Sequence, residues 1–264
     1  MEKKAIVFDN AGTLLQRCRA VKNMETGERV NNSSLDIIDE IKNSALVVMQ
    51  TDTKKCIMLA NPEKRLHDFI KDNDIPLDIS YSSSNISEDE ILPMLKESDV
   101  KLKDFHETAY QLNTENKPIQ LCSGSAFILN TKKERVEYVI TAGGKVFPNV
   151  SLVIEKLRNR GIPTFIASGD RAKSLYEIAE IINLPKENVF ETANPEKKRE
   201  IIAKLQKEGY KVMMVGNGPN DILAFEKSDL AVLTLEQNEK VSQKVFDAAD
   251  IVIKEISEIL DIEF

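Results

Sequence analysis

The residues best suited to chemistry in this chain are polar side chains that directly follow short apolar runs. Asp9 comes after residues 5–8 (AIVF), and Gly12 just beyond it permits a tight backbone turn. Ser168 comes after a second apolar run, residues 163–167 (PTFIA). A carboxylate at the end of a buried strand is held rigidly and is partly desolvated, which suits it to act as a nucleophile or a metal ligand.

Two further segments carry groups of the same kind. Residues 195–198 (PEKK) are expected to form the first turn of a helix that includes Lys198. Residues 215–221 (VGNGPND) are a glycine-rich turn after the apolar run 211–215, and they end in Asp221. Three of the four segments therefore stand at the carboxyl ends of proposed parallel strands, where doubly wound sheets place their ligands.

Together these residue types indicate phosphoryl transfer. Asp9 can attack phosphorus and form an aspartyl-phosphate. A phosphoryl group carries spread negative charge, which Ser168, nearby backbone N–H groups and the cation Lys198 are suited to stabilise. Asp9 and Asp221 supply hard oxygen ligands for Mg²⁺, which proteins usually hold with one or two carboxylates together with phosphate and water.

The elements that must position these groups form an α/β pattern. From about residue 146, short apolar runs alternate with amphipathic stretches, which predicts a doubly wound parallel sheet with helices on both faces. The predicted strands are residues 163–167, 211–215 and 230–235, and the predicted helices are residues 150–160, residues 172–182 and a helix that begins at Pro195 with Asn194 as its cap.

The first apolar run has the same buried character, so we expect it to join this sheet across a long insertion. The predicted domains are a core of residues 1–16 and 146–264 and an inserted α+β module of residues 17–145. The insertion is predicted to contain a hairpin at 16–30, two short strands within 45–60, helices at 62–71 and 87–97, a surface loop at 81–85 and a strand pair at 120–140.

Composition excludes several classes of function. The chain has 264 residues and a net charge of −7, whereas nucleic-acid-binding proteins normally show a basic balance or stripe. No apolar stretch approaches the roughly 20 residues that cross a bilayer, so we expect neither a nucleic-acid nor a membrane partner. Cys18, Cys56 and Cys122 provide no disulfide framework, which predicts a cytoplasmic location. The oligomeric state is left open.

The four segments, taken in order, resemble those of the haloacid dehalogenase superfamily, and in particular the phosphorylation domain of P-type ATPases and their soluble relatives. Residues 9–13 (DNAGT) are similar to the nucleophile motif, and residues 168–170 (SGD) to the second motif. Lys198 stands where the family has its lysine, and residues 216–221 (GNGPND) resemble the ATPase-type metal motif. The resemblance covers about half of the chain and leaves the insertion where family members carry a cap domain.

This resemblance implies a Rossmann-like core of that superfamily with an inserted cap, acting on a small phosphorylated substrate with Mg²⁺. The catalytic residues implied are Asp9 and Lys198. The phosphate-binding residues implied are Asn10, Ser168, Gly169, Lys198 and Asn220, and the metal ligands implied are Asp9, the Ala11 carbonyl, Asn217 and Asp221.

Two positions depart from the family pattern. Ala11 stands where the phosphatases usually have an aspartate that acts as general acid and base, and Ala11 cannot transfer a proton. We therefore expect a preference for activated phosphates, whose leaving groups need no protonation. We also expect the phosphoenzyme to release its phosphoryl group slowly. Asn217 stands where a carboxylate is usual, so we expect weaker metal binding.

Three hypotheses follow from these observations. The first is a magnesium-dependent phosphatase or phosphotransferase that works through phosphorylated Asp9. The second is a catalytically impaired protein of the same fold that binds a ligand or partner, as the departures at Ala11 and Asn217 suggest. The third is a soluble ATPase-like enzyme that hydrolyses nucleotides.

Overall fold

The computed structural model describes residues 3–30, 37–38, 40–115, 121–170 and 172–264. They form two compact units, one of Met1–Arg17 with Val146–Phe264 and the other of Cys18–Lys145. Among the helices described, none is long and apolar enough to cross a membrane.

The strands of both units are numbered along the chain. They are β1 (Lys3–Phe8), β2 (Leu15–Asn23), β3 (Arg29–Val30), β4 (Ser44–Met49), β5 (Leu77–Ser82), β6 (Leu121–Asn130), β7 (Arg135–Val146), β8 (Thr164–Ala167), β9 (Val189–Phe190), β10 (Tyr210–Gly216), β11 (Leu230–Thr234) and β12 (Ile251–Ile253). The helices are α1 (Leu66–Asp72), α2 (Glu88–Met94), α3 (Leu102–Glu115), α4 (Val150–Asn159), α5 (Ala172–Ile181), α6 (Pro195–Lys207), α7 (Ile222–Phe225) and α8 (Gln243–Asp247).

The first unit is built on a parallel sheet in the order β12-β11-β10-β1-β8-β9. The expectation that residues 5–8 join this sheet is confirmed, because β1 lies between β10 and β8. Phe8 pairs with Val215 of β10 and with Ile166 of β8. The carboxyl ends of three strands therefore lie side by side, and the doubly wound α/β fold is as predicted.

The helices of this unit follow from apolar faces and caps. Helix α6 begins at Pro195, and the side chain of its N-cap Asn194 accepts a hydrogen bond from the backbone N–H of Lys197 at 2.8 Å. Ile201 and Ile202 of α6 pack with apolar side chains of β1 and β10 in one buried cluster. Burial of that face fixes the first turn of α6 against the sheet.

The second unit contains an antiparallel sheet in the order β3-β2-β7-β6-β4-β5. The predicted hairpin at 16–30 corresponds to β2 and β3, and the predicted pair at 120–140 corresponds to β6 and β7, with residue 120 outside the described residues. A capping box of Ser87 and Glu90 starts α2 as expected. A cluster of buried apolar side chains, including Phe105 and Phe127, gives this unit its own core.

Two predicted elements of the insertion are wrong. The second strand expected within 45–60 is instead a π-helical turn, Thr53–Ile57, because the Asp52 side chain caps it through the backbone N–H of Lys55 at 3.0 Å. The loop expected at 81–85 is partly strand. Tyr81 and Ser82 complete β5, which pairs with β4 at the edge of the sheet and alternates between half-buried and exposed residues.

Candidate active site

Three of the predicted segments meet at one edge of the parallel sheet, at the ends of β1, β8 and β10. Asp9 directly follows β1, and its backbone N–H donates to the carbonyl of Val215 at 2.8 Å. Ser168 directly follows β8. The turn after β10 carries Asp221. The sheet order alone brings residues from distant parts of the chain into one place.

Lys198 joins two of these segments. Its Nζ donates to Oδ1 of Asp9 at 2.6 Å and to Oδ1 of Asp221 at 2.7 Å. The first turn of α6 offers neighbouring basic side chains, but Lys198 has 0% of its surface exposed, whereas Lys197 is exposed and contacts Glu200. The structure therefore brings together Asp9, Lys198 and Asp221, which the sequence analysis singled out separately.

Burial sets the electrostatics of this trio. Desolvation, and next to it the neighbouring carboxylate of Asp221, raise the pKa of Asp9 to about 7, although Lys198 opposes this shift. Desolvation lowers the pKa of Lys198, but the two carboxylates outweigh it, so the pKa of Lys198 is raised. With both carboxylates ionised, one ammonium leaves one negative charge uncompensated, and the trio is therefore an attractive place for a further cation.

Asp170 organises the neighbouring part of the site. Its Oδ2 accepts from Asn10 Nδ2 at 2.7 Å and from Ser168 Oγ at 3.0 Å, and its backbone N–H donates to Ser168 Oγ at 3.2 Å. Asp170 thereby orients two residues predicted to bind phosphate. Within the described part of the chain, Asn10 Oδ1 is a buried side-chain oxygen without a hydrogen-bond partner.

The turns after β1 and β10 fit closely together. Gly12 has φ +92°, and a Cβ added there would overlap the side-chain amide of Asn217. A Cβ on Gly216 would overlap the side chain of Asp221, whose Oδ2 accepts from the backbone N–H of Asn217 at 3.0 Å and of Gly218 at 3.1 Å. Asp221 thus stabilises the turn through these two backbone hydrogen bonds, in addition to accepting a hydrogen bond from Lys198.

A polar cleft of about 350 Å³ opens over these turns within the first unit. Among the predicted site residues, those that line it are Asp9, Ala11, Ser168, Gly169, Asn217 and Asn220. Lys198 is fully buried and contacts Asp9. Lining residues that the sequence analysis missed are Arg17 and several residues of the segment 234–242, which follows β11. The signal for that segment was its position at the carboxyl end of a predicted parallel strand.

The residues present fit a magnesium ion. Asp9, Asp221, the Asn217 amide and the Ala11 carbonyl offer only oxygen donors, as a hard cation requires, and the buried negative charge favours a cation. In the described residues, no group of three or more His, Cys, Asp or Glu side chains is arranged to hold a metal. A cation here would therefore depend on backbone and amide oxygens and on the substrate phosphate.

Comparisons with known proteins identify the family of this chain. A family model for haloacid dehalogenase-like hydrolases matches residues 3–229, and the chain belongs to that family.

Among its relatives is the soluble P-type ATPase-like phosphatase of Methanocaldococcus jannaschii, 39% identical over 261 residues, which are 98% of this chain and 93% of that protein. The probable copper-importing P-type ATPase A of Enterococcus hirae is 28% identical over 138 residues, 52% of this chain and 18% of the ATPase. The solved catalytic domain of the CPx-ATPase CopB-B aligns at a TM-score of 0.47 and 18% identity over 95% of this chain and 84% of that domain.

Proposed function

We propose that the protein is a cytoplasmic, magnesium-dependent phosphatase that acts on small activated phosphates through an aspartyl-phosphate at Asp9. The observation that carries this proposal is the buried Lys198, which bonds both Asp9 and Asp221, while Asp9 also lines a polar cleft. The name of the archaeal relative, a phosphatase, supports the same reaction class. The inserted unit would serve as the cap domain of a core made of residues 1–17 and 146–264.

In the first step, a carboxylate oxygen of Asp9 attacks phosphorus, and the bond from phosphorus to the leaving group breaks. Lys198 holds the Asp9 carboxylate through Oδ1 and offsets its charge. Ser168, Gly169 and Asn220, which line the cleft, would hold phosphoryl oxygens. The leaving group departs with the electron pair.

In the second step, water attacks the phosphorus of the aspartyl-phosphate, and the bond from phosphorus to the Asp9 oxygen breaks. The Asp9 carboxylate is released with the electron pair, and the proton of the water stays on the phosphate or passes to solvent. An alkoxide leaving group would need an acid in the first step, and the attack of water in the second step is helped by a base. Ala11, which lines the cleft, has no group for either role. A general acid–base is worth about 10²–10⁴-fold in rate. We therefore propose leaving groups that are stable as anions, such as aryl or acyl phosphates, and a slow second step.

Magnesium, when bound, would offset the negative charge of substrate and nucleophile. Asp9, the Ala11 carbonyl, Asn217 and Asp221 would hold it. Asn217 contributes no charge, which should weaken binding compared with a carboxylate.

The test measures phosphate release from p-nitrophenyl phosphate and acetyl phosphate with magnesium chloride, for the native protein and for Asp9→Asn. We expect turnover that is lost in Asp9→Asn, and trapping of the native protein by beryllium fluoride with magnesium. A folded protein that neither turns over nor forms the adduct would instead support the impaired binding protein. ATP is then added as a competitor of p-nitrophenyl phosphate. Absence of any effect of ATP would exclude the nucleotide-hydrolysing alternative.

A further inference from the structure

The two ends of the cleft carry different charges. At the buried end, Asp9 and Asp170 are acidic. At the exposed end, the charged residues lining the cleft are Arg17, Glu239 and Lys240. Two cations and one anion leave that end with a net positive charge. A substrate that reaches from Asp9 toward solvent would therefore place its leaving group beside a surplus cation.

The exposed end is anchored rather than loosely placed. Gln237 makes two hydrogen bonds to the backbone of Arg17, with its Oε1 accepting from N at 2.8 Å and its Nε2 donating to O at 3.3 Å. The Arg17 guanidinium forms an ion pair with the Glu239 carboxylate. At the base of the segment, Glu236 Oε2 accepts from the backbone N–H of Ile256 at 2.7 Å. The contacts of Gln237 and Glu239 with Arg17 hold the segment 234–242 against the start of β2, and Glu236 ties its base to Ile256.

Of the three charged residues at the exposed end, Lys240 takes part in none of these contacts. It is exposed, lines the cleft, and takes part in no ion pair with the described residues. Arg17, in contrast, is neutralised by Glu239. The ammonium of Lys240 is therefore available to a ligand.

We propose that Lys240, together with Arg17 in the lining of the same cleft, forms a leaving-group subsite that selects phosphates whose leaving group carries a second anionic group. This inference rests on the proposed function, because the phosphoryl group must sit at Asp9. It assigns part of the substrate choice to the core segment 234–242. Exposed ion pairs are worth up to about 1 kcal/mol, so the expected preference is about two- to fivefold.

The test compares 4-carboxyphenyl phosphate with 4-carbamoylphenyl phosphate, which differ in charge but little in shape. Dissociation constants are measured by calorimetry with magnesium chloride on an Asp9→Asn background, so that binding is read without turnover. We expect the carboxylate to bind about two- to fivefold more tightly, and the preference to fade at high salt.

Three variants make the test specific. Lys240→Met should abolish the preference. Lys244→Met, the matched control, removes an exposed lysine of α8 that does not line the cleft, and it should leave the preference unchanged. Glu239→Gln should enlarge the preference, because it leaves Arg17 without its counter-charge. Ratios between the two ligands cancel general effects of each substitution on binding, and circular dichroism checks folding.

Equal affinities for the two ligands in the parent protein, or a preference that persists in Lys240→Met, would overturn the subsite. Hydrolysis assays on the native protein separate this result from the proposed function. Turnover of both esters without any preference contradicts the subsite alone, whereas a preference in binding without turnover of either ester contradicts the proposed phosphatase alone.

Discussion

Asp9 and Asp221 are two acidic side chains that share one buried ammonium, and this stoichiometry determines how the site responds to pH. Burial and the neighbouring carboxylate raise the pKa of Asp9 from 3.8 to about 7. The folded protein therefore binds a proton at Asp9 more tightly than the unfolded chain does. The stabilisation from this proton is complete below the unfolded pKa and is lost as the pH rises through about 7.

We predict that Asp9→Asn becomes progressively more stable relative to the native protein as the pH is raised from 4 to 8 without metal. The reason is that the amide introduced by the substitution cannot ionise, whereas Asp9 must be charged at the upper end of this range. Urea denaturation in the presence of EDTA, at several pH values, measures the difference. A difference in the free energy of unfolding that is independent of pH would contradict the raised pKa.

The proposed effect of Ala11 on the leaving group gives a second prediction at the residue scale. We predict that Ala11→Asp raises kcat/KM for alkyl phosphates at least about tenfold, and raises it less for aryl phosphates, because only an alkoxide needs a proton to leave. Ala11→Asn is the matched control, since it has a similar shape but cannot donate a proton. Equal gains for both substrate classes, or equal gains in Asp and Asn variants, would show that proton transfer is not limiting.

Among the elements, those buried on both faces were the most predictable. Strands β1, β8, β10 and β11 are continuous apolar runs, which is typical of a parallel sheet. The edge strand β5 has polar residues in alternation, a pattern that also fits a surface loop, and the π-helical turn Thr53–Ile57 lies next to an apolar stretch that resembles a strand. Strand β12 has three residues, too short for a pattern to be distinguished.

The site was predictable to the extent that motifs mark it. Spacing from Pro195 favours Lys198 over Lys197, and burial distinguishes Lys198 from that neighbour. The hydrogen bond from Asn10 to Asp170 could not be anticipated, because it joins positions 160 residues apart and depends on the strand order. The same holds for the contact of Arg17 with Gln237.

The turn after β1 yields a prediction at this scale. Gly12 and Gly27 both have positive φ, but an added Cβ meets Asn217 only at Gly12 and open space at Gly27. We predict that Gly27→Ala costs about 1–2 kcal/mol of stability through backbone strain and leaves activity intact. Gly12→Ala should in addition displace Asn217 and raise the magnesium concentration needed for half-maximal activity. Identical magnesium dependence in both variants would contradict the close fit.

At the scale of the molecule, each unit has its own sheet and its own buried cluster. The chain leaves and re-enters the first unit at neighbouring points, because the backbone N–H of Phe147 donates to the carbonyl of Leu14 at 3.0 Å. A short linker can therefore replace the insertion without stretching the sheet.

We predict that residues 1–17, joined to residues 146–264 by a Gly/Ser linker of about six residues, fold and unfold cooperatively. Circular dichroism and urea denaturation measure this outcome. Joining residues 1–9 to residue 146 is the control, and it should fail because it removes the Leu14 contact. Failure of the first chain to fold would mean that the first unit depends on the insertion.

The central position of β1 also governs the order of events during synthesis. This strand leaves the ribosome long before its neighbours β8 and β10, which follow the whole insertion in the chain. At translation rates of about 5–20 residues per second, roughly 10–40 seconds separate β1 from β10. Residues 18–145 can finish their own sheet in that interval. Strand β1, which Asp9 follows, has neither of its two neighbouring strands to pair with during that interval.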